Sequence, residues 1–385
     1  MKPNWLLIRL IVVQVFIHAC MTGMRLAAPL LALREGQSAL AVGVLMALFA
    51  LTQVFLSIPA GKFADRNTLR RPVAISITCA TFGTAAAAFW PTFPMLCLSA
   101  LLSGGAAGGA LIALQRHVGR MATNQTELKQ VFSWLSIGPS ISNFIGPFSA
   151  GLMIDHVGFR AAFALMAALP VISWLLVRGA PELKLPEQAD DRKTRGSWDL
   201  LAEPKLRRLL LINWILASCW DVHTFVVPLL GHERGFSASV IGLILGAFAV
   251  AATAIRGILP VVAARVQEWA VIMTAMLSTA TLFAIYPMLP SPLTMGACSV
   301  FLGFSLGVVQ PMIMSTLHFI TPPHRQGEAL GLRLMSINVS SILMPMVFGT
   351  VGTAIGVASV FWAVSAGVLG CTRAAWKLKY WSRVE

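Results

Sequence analysis

Apolar stretches long enough to cross a bilayer recur along nearly the whole chain, and they decide the fold class before anything else. They fall at roughly 7–33, 38–60, 72–90, 94–117, 131–154, 160–178, 207–231, 238–262, 270–288, 292–318, 327–351 and 355–374. About 20 residues suffice for one helical crossing. Of 385 residues 57% are hydrophobic and only 11% charged, where a soluble domain carries about 25% charged residues. The shorter alternating segments of a transmembrane barrel are not seen. The expectation is an all-α membrane protein with twelve transmembrane helices. Lys2 and Arg9 before the first run resemble a secretory signal. The run continues through His18 and Arg25 to about Leu33 with no small-residue cleavage pattern, so it is read as the first membrane helix.

The net charge is +14, but the basic residues sit mainly in short loops between apolar spans, so no nucleic-acid partner is expected. Lys62, Arg66, Arg70, Arg71, Arg120, Lys129, Arg265 and Arg325 fall on one side, and Arg34, Arg160 and Arg234 on the other. That asymmetry predicts both termini in the cytoplasm of a bacterial-type inner (plasma) membrane. The six cysteines lie in or at the ends of spans without a C-x-x-C pair. They read as small buried side chains, not as metal ligands.

One connection is polar and Pro-containing, and it separates six spans from six. It gives three expected units: a six-helix bundle over 1–178, a cytoplasmic linker over 179–206, and a second bundle with a short tail over 207–385. Trp198, Leu200 and Leu201 in the linker read either as a short interfacial helix or as part of a disordered tether.

The halves repeat at an offset of 199 residues. Gly36, Ser38, Ala39 and Gly43 match Gly235, Ser237, Ala238 and Gly242; Phe49 matches Phe248, Gly104 matches Gly303, and Gly108 matches Gly307. Two parallel six-helix repeats imply a pseudo-two-fold axis along the membrane normal, with a site between them near the midplane. The same offset aligns two polar stripes. Gln14, His18, Thr22, Arg25 and Pro29 share one face of the first span; Asn213, Ala217, Asp221, Thr224 and Pro228 share one face of the seventh. Intramembrane charges are costly and each needs a reason. Asp221 is the acid near the middle of a span, which makes it the candidate proton carrier or, alternatively, one end of a static ion pair that locks the halves. His18 is either a proton relay or a packing residue. Arg25, Thr22, Gln14, Asn213, Thr224, Trp220 and Gln310 are the candidate cavity lining. Arg256 and Arg333 are read as snorkelling or lipid-binding side chains.

Two motifs carry a resemblance. Gly61-Lys-Phe-Ala-Asp65-Arg66-Asn-Thr-Leu-Arg70-Arg71 follows the second span. It resembles the signature loop of the major facilitator superfamily, with Thr68 where Gly is usual and Leu69 where a basic residue is usual. In the fifth span Gly146, Pro147 and Gly151 resemble the glycine-rich motif of that superfamily's antiporters, although Ser142 and Ala150 replace two of its glycines. The motif reads alternatively as ordinary small-residue packing. The resemblance covers essentially the whole chain. It implies two pseudo-symmetric bundles, first and seventh helices facing across a cavity where Arg25 and Asp221 approach, and a latch at the signature loop. There Asp65 would meet the start of the eleventh span near Gly327, and Arg66 and Arg70 would pair with Glu127. The arginines read alternatively as topology determinants only.

The reading is a monomeric secondary transporter among membrane lipids, exporting a small organic compound in exchange for protons by alternating access. No enzyme chemistry and no cofactor are expected, because no nucleophile–base set, metal cluster or phosphate loop occurs at the needed spacing. Two rivals remain: a transporter of an organic anion using Arg25 and Arg256, and a non-transporting sensor or scaffold. Topology is testable first. Cysteines placed at Gln188 and Ser237 should label from opposite sides of the membrane, and labelling from one side would overturn the span count.

Overall fold

The computed structural model describes residues 5–183, 197–236 and 238–377. The middle of the expected linker, 184–196, lies outside the described residues. All described regular structure is helical: α1 (Trp5–Arg34), α2 (Ala39–Arg66), α3 (Arg70–Phe89), α4 (Phe93–Met121), α5 (Gln125–Leu135), α6 (Ile137–His156), α7 (Phe159–Val177), α8 (Pro204–Glu233), α9 (Ala238–Val262), α10 (Glu268–Ile285), α11 (Pro292–Gly307), α12 (Val309–Ile320), α13 (Gln326–Ile355), α14 (Val357–Gly370) and α15 (Thr372–Trp376). Among the described residues, 10 stretches are long and apolar enough to cross a membrane. The pass from Gln125 to His156, interrupted at Ser136, and the pass of α13 complete the twelve. After those residues, Ser197–Ala202 forms a 3-10 segment with Trp198 exposed and Leu200 buried.

Local chemistry starts and stops these helices. Ser38 accepts from the Ala41 N–H, Asn124 from the Glu127 N–H, and Ser291 and Thr294 form a capping box. Gly36 and Gly235 turn the chain at φ +80° and +73°, and Gly158 and Gly356 at +108° and +87°. L side chains avoid that region, so the repeat keeps glycine at matching turns.

Packing follows the repeat. α1 lies on α6 and α7, and α8 on α13 and α14; α2 lies on α4, and α9 on α11; α3 lies on α4 and α7, and α10 on α11 and α14. A Cβ on Gly104 would overlap the Phe49 carbonyl oxygen, and one on Gly303 would overlap that of Phe248. Those matched pairs are therefore the points where two helix backbones touch in each half, as small residues permit in membranes.

The two halves meet mainly through α2 against α13 and through α5 against α9 and α12. The meeting is concentrated at the end of the bundle that carries Lys62, Arg66, Arg70 and Arg325, called the basic end below. Gly61 and Gly327 bring α2 and α13 so close that a Cβ on either would strike the other's carbonyl. Asp65 is buried there. Its Oδ1 accepts from the Gly327 N–H at 2.8 Å and from Arg116 Nε at 2.7 Å, and its Oδ2 from the Glu328 N–H at 2.9 Å. An anion on the free N–H groups that open α13 is electrostatically well placed. The second contact reverses the sign. Lys129 of α5 donates to the Val266 carbonyl at 2.8 Å and lies 3.9 Å from Glu268, while Gln130 donates to the Pro260 carbonyl.

Two expected pairings are corrected. Glu127 does not pair with Arg66 or Arg70. It is exposed and closes its own helix start, accepting from the Thr123 hydroxyl at 2.7 Å and the Thr123 N–H at 2.9 Å. Those hydrogen bonds hold its carboxyl below the usual range. Arg70 instead donates to the Ala180 carbonyl and lies 3.7 Å from Glu182, and Arg66 is exposed. The acid that Arg70 meets is thus at the end of the first half, where α7 returns the chain to the basic end.

Asp65→Asn separates the two parts of this junction. The amide turns one acceptor into a donor facing an N–H or a guanidinium. Amides of Gly327 and Glu328 should exchange hydrogen about tenfold faster, matching the upper range of a charge at a helix N-terminus. Melting temperature should also fall, since Arg116 is left buried without its anion. Adding Arg116→Gln should recover part of the melting temperature and none of the exchange protection. Unchanged exchange over 326–330 would show that Asp65 does not tie α2 to α13.

Candidate functional site

A cavity of about 270 Å³ lies between the halves, bounded by α6, α8, α9, α12 and α13. α8 contributes Asn213, Trp220 and Asp221, which share its inner face at helical spacing. Gln310 enters from α12. These four expected residues come together. Thr224 does not: it is exposed, and its hydroxyl bonds back to the carbonyls of Trp220 and Asp221.

The first span departs further from expectation. Gln14 and Thr22 are buried between α1 and α6, and none of Gln14, His18, Thr22 or Arg25 lines the cavity. The Thr22 hydroxyl donates to the Ser142 carbonyl at 2.9 Å, and the Ser142 hydroxyl to the Val15 carbonyl at 3.2 Å. A Cβ on Gly146 would overlap Thr22 Oγ1. Gly146 therefore brings α6 onto the polar stripe of α1, with Pro147 inside α6, whereas a Cβ on Gly151 would make only ordinary contact with Leu26. Arg25 is exposed and forms no ion pair with Asp221. The physical reason is that a polar face in lipid is satisfied by any neighbouring helix, and small residues on α6 made it the nearest.

Asp221 is held by hydroxyls alone. Ser340 donates to Oδ2 at 3.2 Å and Ser341 to Oδ1 at 3.3 Å; Ser340 is also 2.9 Å from the Ser218 hydroxyl. It is the one carboxylate in the cavity lining, it is half-buried, and no cation among the described residues pairs with it. A carboxyl bound by neutral hydroxyls can take up or release a proton without breaking a salt bridge.

Arg256 and Arg333 are corrected as well. Neither reaches for lipid headgroups. Both are buried, at 6% and 4% exposure, and both line the cavity. Arg333 Nε donates to Asn213 Oδ1 at 3.1 Å. Arg256 donates to the Gly307 carbonyl at 3.2 Å, to the Ser136 carbonyl at 3.2 Å and to the Ser140 hydroxyl at 3.1 Å, with its guanidinium 5.6 Å from the Trp220 ring centre. Gly307 ends α11 and Ser136 ends α5. Interruptions in two membrane passes thus free the carbonyls that stabilise a buried guanidinium. Sequence reasoning placed both arginines in spans but had no sign of those interruptions.

Its reading also missed Arg116, which pairs with Asp65. The signal was present: a second arginine lies four residues before Arg120, inside the apolar span, and such a charge requires a partner.

The chain resembles known transporters along most of its length. It is 26% identical over 366 residues to multidrug resistance protein 1 of Bacillus subtilis (strain 168), covering 87% of this chain and 90% of that one. It is 23% identical over 317 residues to the class B tetracycline resistance protein of Escherichia coli, covering 80% and 78%. The solved human organic anion transporter MFSD10 (TETRAN) superposes with a TM-score of 0.79 at 17% identity, over 96% of this chain and 99% of that one. With the Major Facilitator Superfamily model matching residues 10–345 and 209–380, this chain belongs to the major facilitator superfamily of membrane transporters.

Proposed function

We propose that the chain exports a small organic compound in exchange for protons, with Asp221 as the proton site. The observation that carries this is a carboxylate lining the cavity between the halves, held by Ser340 and Ser341 and paired with no cation among the described residues. The resistance named for the two relatives supports the direction, since a membrane transporter protects by removing the compound. In this reading the bundles of 1–178 and 207–385, joined by the linker 179–206, rock about the cavity, and the basic end faces the cytoplasm with both termini. Asp65 on the N-terminus of α13 and Lys129 on Glu268 hold that end shut. Its opening requires both contacts to part. The α1–α6 seam at Gly146 stays packed and moves as one body. Lipid surrounds a monomer.

The cycle follows from one exclusion. A proton on Asp221 removes the charge that holds substrate, and substrate bound there keeps the proton away. A carrier that changes sides only when one of them is bound then exchanges the two.

Proteoliposomes with an imposed pH gradient test it, using a compound found by thermal-shift screening. Asp221→Asn cannot release a proton near neutral pH. It should abolish gradient-driven accumulation while retaining exchange of labelled for unlabelled compound. Uphill transport by this variant would put the proton elsewhere.

A further inference from the structure

The charges inside the cavity are of both signs and are kept apart. At its floor, toward the basic end, lie two guanidiniums, Arg256 and Arg333, and neither meets a carboxylate among the described residues. Asn213 spends Oδ1 on Arg333 and leaves its buried Nδ2 without an acceptor. Three sets of donors thus converge with no anion among them. Toward the opposite end lies Asp221, an acceptor without a cation. Asn213 and Asp221 are eight residues apart on α8, which the helical rise makes about 12 Å. The wall between them is apolar and aromatic: Leu216, Trp220, Leu306 and Ile337.

Arg256 is held by two carbonyls and a hydroxyl, but Arg333 has one neutral partner and Asn213 Nδ2 has none, so the empty site is left short of acceptors. A buried charge or donor without a partner costs free energy that a matching ligand group recovers. The protein could have neutralised the site internally by pairing an arginine with Asp221, and it does not. Guanidiniums also match the planar oxygens of carboxylates and phosphates better than a point charge does.

We propose that the transported compound is a zwitterionic amphiphile. Its carboxylate, phosphate or sulfonate binds Arg256, Arg333 and Asn213 Nδ2, its apolar body lies along Trp220, and its ammonium group binds Asp221. This rests on the reading of Asp221 as the proton site and gives that site its chemical counterpart. The substrate ammonium and the proton compete for one carboxylate, as exchange requires. Binding also has a mechanical consequence. Arg256 of α9 holds Ser136 and Ser140 of the other half, and an anion in the cavity competes with them for the guanidinium. Occupancy therefore loosens a contact between halves at the site itself.

The test is equilibrium binding of matched probes to purified protein in dodecyl maltoside micelles, whose sugar headgroup carries no charge. The probes are 4-(2-aminoethyl)benzoate, 4-ethylbenzoate and 2-(4-ethylphenyl)ethylamine, which present both charges, the anion alone and the cation alone. The zwitterion should bind at least about tenfold more tightly than either comparator. Arg256→Gln and Arg333→Gln should cost the zwitterion and the anion about tenfold or more and leave the amine unaffected. Asp221→Asn should reduce the zwitterion to the level of the anion. If Arg333→Gln does not fold, Arg333→Lys, which keeps charge but loses the planar fork, should weaken the two anionic probes selectively. Phosphatidylethanolamine carries the same pair of groups on a lipid. If mixed micelles containing it displace the zwitterion, the dipolar site stands and a headgroup is its source. Equal affinity for zwitterion and ethylbenzoate, equal loss of all three probes in the arginine variants, or no binding of any probe would overturn the proposal. Flux and binding fail separately. Uphill transport by Asp221→Asn with its binding loss intact removes the proton role and leaves the dipolar site.

Discussion

A carboxylate buried where two helix bundles meet must find partners on both sides, and Asp65 does so in a way that can be divided. Arg116 reaches it from α4, in the same half; Gly327 and Glu328 reach it from the start of α13, in the other. Losing a partner from a buried ion pair costs roughly 3–5 kcal/mol, so Arg116 stays with Asp65 whatever the halves do. The interaction with the helix N-terminus is worth about 0.3–2 kcal/mol, small enough to make and break in a working cycle. In the proposed cycle the same acid stays part of one bundle and ties reversibly to the other. In the second half Ala264 stands where that acid would be, and Lys129 supplies the tie from α5 with the sign reversed. Both ties act at one end, which leaves the cavity between the halves as the place where the remaining charges decide behaviour.

Those charges depend on broken helices. An unbroken fifth or tenth pass would spend the carbonyls of Ser136 and Gly307 on its own backbone, and Arg256 would have no partner to justify its burial. The breaks let a guanidinium sit in the membrane interior without an acid. Asp221 is consequently free of it, held by two serines of α13. Separate positive and negative poles follow from backbone geometry as much as from the choice of charged residues.

The fold was legible because lipid leaves few options. Span lengths, loop charges and the offset of 199 residues define twelve passes and their repeat, and the matched contacts Gly104–Phe49 and Gly303–Phe248 show what the repeat is for. The site was half legible. The stripe on α8 reaches the cavity at Asn213, Trp220 and Asp221, while the equivalent stripe on α1 is used up against α6. Periodicity gives the face of a helix but not the neighbour that covers it. Only the glycines of α6, read together with Thr22, carry that information. Arg256 and Arg333 looked like residues of the lipid interface because their depth is visible in sequence and their direction is not. Pairing of Arg25 with Asp221 and of Arg70 with Glu127 failed for the same reason: opposite charges at plausible levels on different helices do not fix which of them meet.

The proposal at the centre of this account is that a proton on Asp221 lets the carrier change sides, so that protonation shifts the balance between its two ends. Electron–electron double resonance between spin labels measures it directly, with one pair at Arg71 and Pro323 on the basic end and another at Glu35 and Glu233 on the opposite end. Between acid and alkaline pH the two distances should change in opposite senses, one lengthening as the other shortens, and Asp221→Asn should hold both at the values seen in acid. Distances that do not respond to pH, or a response that survives in Asp221→Asn, would contradict the claim.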